Sequence, residues 1–290
     1  MLTQFTYLLI FLTCLINSDN NFDFFPTSTT NQIVKHTYYT ISYSEKDEQP
    51  EWVAYELTTE RVSGNIERSD KFCSDPYVTT GSASPDDYKN SGYDRGHLAP
   101  AADMKFNSTA MTECFYMSNM SPQDPSFNRG IWKQLEEQVR TWAITYDDIY
   151  VVTGGVLKYS VGKIGYNKVT VPKYFYKVIL DYTEPEIKAI ALLLPNEKGT
   201  RQLNEYVVTI DSLESMTGIN FFPALPDKLE NELENSIHSE KWTFKKNTTS
   251  VSSGTKSSKS VQCSGTTKAG NRCKRMTSNS SGICTQHENK

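Results

Sequence analysis

The sequence lacks an apolar segment long enough to cross a membrane. Its apolar N-terminal stretch, from Phe5 to Ile16, has twelve residues, whereas a helix that spans a bilayer needs about 20. This length suits the hydrophobic region of a secretory signal over residues 1–18, although no Lys or Arg precedes it; a buried N-terminal strand or helix is the competing explanation. We therefore expect no stable membrane span and an extracytoplasmic protein, periplasmic or secreted, with lipid attachment at Cys14 less favoured.

Cysteine is scarce in the body of the chain. Of the six cysteines, one lies in the N-terminal apolar stretch and three lie within the last 28 residues, which leaves Cys73 and Cys114. In an exported protein, two remaining cysteines favour a disulfide. Two small buried hydrophobic residues explain them equally well, so both interpretations stay open.

Positive charge is sparse in the body and concentrated at the C-terminus. From Lys245 to Lys290 there are nine Lys or Arg and one acid, Glu288, so the remaining residues hold 21 basic and 33 acidic side chains. Residues 245–261 are rich in Ser, Thr and Lys, which is typical of a flexible, solvated linker. The composition predicts an acidic domain over residues 31–244, a linker over 245–261, and a basic module over 262–290.

The body contains predicted strands and fewer helices, and no internal repeat. β-branched and aromatic residues predict strands over residues 36–43, 51–60, 149–157, 174–182 and 186–196. The last of these is apolar enough to lie centrally in a sheet. Apolar spacing predicts helices over 128–143, 209–218 (capped by Thr209 or Asp211) and 226–237. Residues 19–30 are predicted to be a linker, and the body to be one α+β domain.

Histidine is also rare, with four in the whole chain, and one of them lies in SGYDRGHLAPAADM, residues 91–104. YMSNMSPQ follows at 116–123 and FNRGIWKQLEEQV at 127–139. With these segments the chain resembles the DNA/RNA non-specific endonucleases of the endonuclease G type. Their ββα-metal (His-Me finger) site combines a DRGH strand, an SNxxPQ segment and an NxxxWxxLE helix. The resemblance covers roughly residues 50–230 and implies a central antiparallel sheet flanked by helices.

Phosphodiester hydrolysis requires a group that deprotonates water and groups that stabilise negative charge at the phosphate. His97 suits the first task, because an imidazole accepts a proton at neutral pH. Arg95 precedes it by two residues and would therefore point to the same face of a strand. Its guanidinium could bind the scissile phosphate. Asp94 would point to the opposite face and is predicted to be structural.

The helix predicted over residues 128–143 offers oxygen ligands for a metal ion. Asn128 and Glu136 are eight residues apart, which on an ideal helix corresponds to ~80° beyond two full turns and a rise of ~12 Å. This gap is too long for both to bind one ion directly, so we expect Asn128 to bind it and Glu136 to act through water. A single Mg²⁺ fits, with Mn²⁺ as a substitute, because no carboxylate cluster is evident to hold a second ion. Lys133, Glu137 and Arg140 are predicted to face solvent.

Two further site residues follow from the resemblance. Asn119 matches an asparagine that shapes or supports the family's site, although capping a loop would also explain it. Arg68 lies where the family carries another phosphate-binding arginine. The resemblance also implies that the metal is bound directly at Asn128 and through water at Glu136.

The C-terminal module contains Cys263, Cys273, Cys284 and His287, spaced C-x9-C-x10-C-x2-H. Three thiolates and one imidazole form a complete tetrahedral set for Zn²⁺, and so small a module needs a staple to fold. A disulfide between Cys263 and Cys273 is the alternative. The basic residues of the module suggest contact with nucleic acid or serve solubility: Lys268, Arg272, Lys274 and Arg275.

The sequence thus predicts a magnesium-dependent endonuclease that cleaves DNA and RNA. The resemblance implies that it leaves 5′-phosphate and 3′-hydroxyl ends. The alternatives are a nucleic-acid-binding protein without catalytic activity and a phosphodiesterase with a narrower substrate range. The sequence is compatible with a homodimer.

Overall fold

The structure, a computed structural model, describes residues 23–183 and 186–245, together with parts of 261–287. The chain divides into two compact units after Lys245. The predicted signal over 1–18 and all but the ends of the predicted linker over 245–261 lie outside the described residues. Among the described residues, every helix is too short or too polar to cross a bilayer.

Secondary structure in the described residues is numbered in chain order. The strands are β1 (Ile33–Lys35), β2 (Thr40–Ser44), β3 (Gln49–Leu57), β4 (Asp94–His97), β5 (Met120–Gln123), β6 (Ile149–Gly155), β7 (Ser160–Ile164), β8 (Val169–Pro172), β9 (Tyr174–Asp181), β10 (Lys188–Pro195), β11 (Val207–Val208), β12 (Val261–Gln262) and β13 (Met276–Thr277). The helices are α1 (Thr59–Val62), α2 (Ser108–Glu113), α3 (Pro125–Phe127), α4 (Lys133–Tyr146), α5 (Ile210–Thr217) and α6 (Asp227–Glu234).

A seven-stranded sheet in the order β1-β2-β3-β6-β9-β10-β11 forms the frame of the first unit. All neighbouring strands in it are antiparallel. Because side chains alternate along a strand, β3 serves two cores: Val53 and Tyr55 join the cluster that includes α4, whereas Trp52 and Ala54 join the cluster that includes α5 and α6. The predicted α+β class with a central antiparallel sheet flanked by helices is confirmed.

The prediction that residues 186–196 form a central strand is wrong. Strand β10 lies next to the edge, beside the two-residue strand β11. It is strongly apolar because both of its faces are covered: Ile190 and Leu192 enter one core, and Ala189 and Ala191 enter the other.

The linker predicted for residues 19–30 is also wrong for the part that the structure describes. Phe24 stacks on Tyr150 with ring centroids 4.4 Å apart, and the backbone carbonyl of Thr27 accepts a hydrogen bond from the indole of Trp52 at 2.9 Å. Thr29 donates its backbone N–H to Glu51 at 2.8 Å. This segment covers a sheet face that would otherwise expose aromatic side chains to water.

Strands β4 and β5 form a separate antiparallel pair that leads into α3 and α4. Gly96 in β4 packs directly against the side chain of Gln123 in β5, and a Cβ at this position would overlap it. Glycine is therefore the residue that allows the two strands to approach. This ββα unit carries the segments that the sequence singled out.

The helix predicted over residues 128–143 is interrupted. Asn128–Trp132 forms one wide, π-like turn, in which Gly130 departs from helical dihedrals with φ −107° and ψ −110°, and the regular helix α4 begins at Lys133. Turns of this kind often mark functional sites. The ideal-helix geometry expected between Asn128 and Glu136 therefore does not apply.

Candidate active site

A cleft of about 390 Å³ beside the ββα unit contains most of the predicted site residues. Its lining includes Arg68, Arg95, His97, Asn128 and Glu136. These residues come from the loop before β4, from β4, from the π-like turn and from α4. The fold thus brings together five side chains that are up to 68 positions apart in the sequence.

His97 is buried, with 8% of its surface exposed. Its ring is packed edge-on against Phe72 and Phe115, at centroid distances of 5.7 and 4.9 Å. Nε2 is buried and has no hydrogen-bond partner among the described residues, so Nδ1 is the nitrogen that is open to the cleft. Burial, reinforced by the charges of Arg68 and Arg95, lowers the pKa of His97 to about 3, so the imidazole is neutral at physiological pH.

Arg95 and Arg68 stack on the same two aromatic rings that hold His97. The guanidinium of Arg95 lies 4.0 Å from the Phe72 centroid, and that of Arg68 lies 4.9 Å from the Phe115 centroid. Arg68 also forms an ion pair with Asp70 at 2.6 Å. Both arginines are exposed at the cleft, so the aromatic rings orient two cations beside the imidazole.

Asn119 does not line this cleft. It is fully buried, and its carboxamide is committed to the backbone: Nδ2 donates to the carbonyls of Ala99 and Cys114 at 3.0 and 2.8 Å, and Oδ1 accepts from the N–H of Ala99 at 2.9 Å. Its own carbonyl accepts from the N–H of Leu98 at 3.0 Å. Asn119 therefore fixes the backbone that follows His97, which makes it a positioning residue.

Asp94, which was expected to be structural, does not line the cleft but contacts a residue that does. Its Oδ2 accepts a hydrogen bond from Asn128 Nδ2 at 2.9 Å, and its carboxylate forms an ion pair with Arg129 at 2.6 Å. The kinked turn at Gly130 brings residues 128 and 129 back towards β4, which strand periodicity alone could not reveal. With its nitrogen anchored, Asn128 keeps Oδ1 available for a ligand.

Glu136 lies in the cleft beside a buried lysine that the sequence analysis missed. Lys177 in β9 is fully buried, and its Nζ donates to Thr153 Oγ1 at 2.7 Å and to the carbonyl of Leu98 at 3.4 Å. Burial raises the pKa of Glu136, which the charge of Lys177 opposes, and burial lowers the pKa of Lys177. Its position within the apolar run FYKVIL was the feature of the sequence that could have indicated a buried lysine.

Arg140 was predicted to face solvent, and this is wrong as well. Its guanidinium lines the cleft and forms an ion pair at 2.8 Å with Asp103, which is 99% buried on its side chain. The hydroxyl of Tyr55 donates to the same carboxylate at 2.7 Å. This network forms a rigid, charged wall next to Glu136. Lys133 and Glu137 are exposed and 3.9 Å apart, as expected for a solvent face, although Lys133 also lines the cleft.

The donors in the cleft fit a hard divalent cation. Asn128 Oδ1 and the carboxylate of Glu136 are the oxygen donors, and the described residues form no ion pair with Glu136 within 4.0 Å. Few protein oxygens in an open cleft suit Mg²⁺, which keeps most of its waters. The residues present are thus compatible with the expected metal.

The second unit brings its Cys and His side chains together. One ligand atom each from Cys263, Cys273, Cys284 and His287 lies within 4.8 Å of all the others. Backbone N–H groups of Cys284 and Gly265 donate to Cys263 Sγ at 3.2 and 3.3 Å and lower the pKa of this thiol to about 6. Cys263 and Cys273 do not form the alternative disulfide.

The two body cysteines are not joined either. Cys114 is buried and its thiol donates to the carbonyl of Met111 at 3.3 Å, whereas Cys73 is exposed. The disulfide is therefore absent, and the alternative of two small buried residues holds for Cys114 but not for Cys73.

Residues 17–228 match the family model of DNA/RNA non-specific endonucleases. The chain is 35% identical to the Mus musculus protein "Nuclease EXOG, mitochondrial" over 219 residues, which are 69% of this chain and 59% of that protein. It is 34% identical to the Bos taurus "Endonuclease G, mitochondrial" over 66% of this chain and 69% of that one. The chain therefore spans less than two thirds of the length of the EXOG relatives.

A solved structure of an EndoG/EndoGI complex is similar in fold, with a TM-score of 0.64 and 32% sequence identity. The match covers 68% of this chain and 88% of the EndoG chain.

The predicted extracytoplasmic location is contradicted by these relatives. The matching EXOG and endonuclease G proteins are mitochondrial by name. The stretch from Phe5 to Ile16 is apolar, but an apolar stretch alone does not identify the compartment to which a protein is sent. The predicted export, including lipid attachment, is therefore wrong.

Burial of His97 predicts a pH dependence of stability. Its pKa in the folded state, about 3, lies below the ordinary value of 6.5. At pH values between these two, His97 is therefore protonated in the unfolded chain and neutral in the folded chain. Folding should therefore lose stability as the pH falls through this range, by about 2 kcal/mol at pH 5 relative to pH 7.

The free energy of unfolding in urea at pH 5 and pH 7 measures this loss. The variant His97→Gln, which cannot titrate, should lose about 2 kcal/mol less than the wild type between the two pH values. Equal losses in both proteins would show that His97 does not titrate as described.

Proposed function

Because the chain belongs to the DNA/RNA non-specific endonuclease family, we propose that it hydrolyses internal phosphodiester bonds of DNA and RNA in the cleft around His97. One observation carries the proposal. A neutral imidazole, four guanidinium groups, a carboxamide and a carboxylate all line one cleft. This is the set of groups that phosphodiester hydrolysis requires.

His97 acts as the general base. Its lowered pKa keeps it neutral at physiological pH, so it can accept the proton of the attacking water. The acceptor is Nδ1, because Nε2 is buried and carries the proton in the neutral tautomer. The rings of Phe72 and Phe115 fix the imidazole plane, and Asn119 fixes the backbone that follows it.

Arg95 and Arg68 bind the scissile phosphate. Their guanidinium groups are exposed at the cleft and held in place by stacking on Phe72 and Phe115. Both cations also disfavour protonation of His97, so the same charges that attract the substrate keep the base in its active form. As the phosphate gains negative charge during attack, these hydrogen bonds strengthen.

Asn128 and Glu136 would hold one Mg²⁺, for which Mn²⁺ could substitute. Asn128 would provide Oδ1, since Asp94 anchors its Nδ2, and Glu136 would act through a water of the ion. When bound, the ion stabilises the negative charge on the phosphate and the leaving oxygen. Departure of the 3′ oxygen leaves 5′-phosphate and 3′-hydroxyl ends.

The cleft favours recognition of the nucleic-acid backbone. Its polar lining is mostly cationic, and the remaining lining residues are the small Pro100, Ala101 and Ala102. Contacts with phosphate carry no sequence information. Such a lining supports cleavage of both DNA and RNA without sequence preference.

Cleavage of plasmid DNA and of RNA at graded Mg²⁺ concentrations, with an EDTA control, tests this proposal. His97→Ala should lower the rate by roughly 100-fold or more, because general-base catalysis typically contributes that much, while DNA binding persists. The matched control His238→Ala changes a histidine outside the cleft and should retain the wild-type rate.

Three results would reject the proposal or narrow it. Wild-type activity in His97→Ala would require another base. Binding without cleavage at any Mg²⁺ concentration would identify a nucleic-acid-binding protein. Cleavage of small phosphodiesters alone would identify a narrower phosphodiesterase.

We also propose that the C-terminal unit binds one Zn²⁺ through Cys263, Cys273, Cys284 and His287. The clustering of their ligand atoms within 4.8 Å supports it, because a structural zinc site needs four such donors. Metal analysis of the purified chain should find one zinc per molecule, lost in Cys273→Ser and retained in the control Cys73→Ser. Zinc absent from the wild type, or equal in both variants, would contradict this assignment.

A further inference from the structure

A group of four carboxylates lies between α5 and α6, which belong to the core on the opposite side of the sheet from α4. Asp211 and Glu214 come from α5, and Glu230 and Glu234 come from α6. The spacings of three and four residues place each pair on one helix face. Carboxylate oxygens of Asp211, Glu214 and Glu234 all lie within 4.8 Å of one another.

Glu234 points into this group from a buried position. Only 7% of the residue is exposed, and its Oε1 has no hydrogen-bond partner among the described residues. The Oε1 of Glu230 is likewise buried without a partner there. Within the described part of the chain, no Lys, Arg or His forms an ion pair with any of the four carboxylates.

Each local feature disfavours a negative charge on Glu234. It is the last residue of α6, where the helix dipole repels anions. Burial, followed by the charges of Glu214, Glu230 and Asp211, raises the pKa of Glu234 to about 8. A buried acid among three others needs either a proton or a cation.

We propose that these carboxylates bind a divalent cation of the size of Ca²⁺. Calcium takes six to eight oxygens at 2.3–2.6 Å, so the oxygens that bind one ion lie within about 5 Å of one another, and the three carboxylate oxygens meet this limit. Magnesium keeps most of its waters and is usually bound by one or two carboxylates, so a group of four carboxylates suits calcium better. Glu214 Oε1 already accepts a hydrogen bond from the N–H of Phe221 at 2.7 Å, which fixes this carboxylate and leaves its second oxygen for the ion.

The site would join α5 to α6. Leu213 of α5 and Leu233 of α6 belong to the same apolar cluster. Repulsion between the carboxylates of the two helices opposes this packing. Calcium would neutralise these carboxylates and convert their repulsion into coordination that links the two helices. The expected consequence is stabilisation of this face of the domain, separate from the chemistry in the cleft.

Thermal unfolding of the full chain tests the proposal, after EDTA treatment and then with added CaCl₂ or MgCl₂. At ~100 times its Kd, Ca²⁺ should raise the Tm of the wild type by about 5 °C or more, and Mg²⁺ should raise it less. Glu234→Gln and Asp211→Asn should lose most of the response to Ca²⁺. The control Glu232→Gln, on the exposed side of α6, should respond as the wild type does.

Comparing variants separates this site from the cleft, because calcium bound in the cleft would stabilise all four proteins equally. An equal rise in all four proteins, or no rise in the wild type, would overturn the proposal. Asp211 is exposed, so Asp211→Asn gives a result even if Glu234→Gln does not fold. The readout does not depend on nuclease activity, so failure here and failure of the proposed function are distinguishable.

Discussion

Burial of one imidazole beside two guanidinium groups is the constraint on which the site depends. A phosphate-binding cleft must be cationic, and a general base must be neutral. The proposed site meets both requirements because burial and the charges of Arg68 and Arg95 all lower the pKa of His97 and so keep the imidazole neutral beside two cations. Phe72 and Phe115 maintain this arrangement, since each ring contacts both the imidazole and a guanidinium.

The metal side of the cleft depends on a second set of contacts. Asp94 binds Asn128 and Arg129, so the strand that carries His97 also orients the expected metal ligand. Glu136 is balanced between the positive charges of Lys177 and Arg140 and the negative charge of Asp103. The ββα unit carries most of the proposed reacting groups, and the large sheet supplies the buried Lys177 that lies beside Glu136.

Much of the site followed from local sequence. Strand periodicity predicted that Arg95 and His97 share one face. The motifs predicted that Asn128 and Glu136 belong to the same site. The predictions failed where contacts between distant segments determine the position of a side chain. The kink at Gly130 turned residues 128 and 129 towards Asp94, and the buried Lys177 lies beside Glu136 although its strand is 80 positions beyond His97. An ideal helix also placed Arg140 in solvent, because periodicity cannot identify its partner, the buried Asp103.

The central claim is that His97 and Asn128 act on the same phosphorus atom. The most direct measurement is kcat/KM for DNA cleavage by the wild type, His97→Ala, Asn128→Ala and the double variant. Residues that act as a unit are strongly non-additive, so the double variant should be little slower than the slower single variant. Losses that multiply, as for two independent sites, would contradict the account.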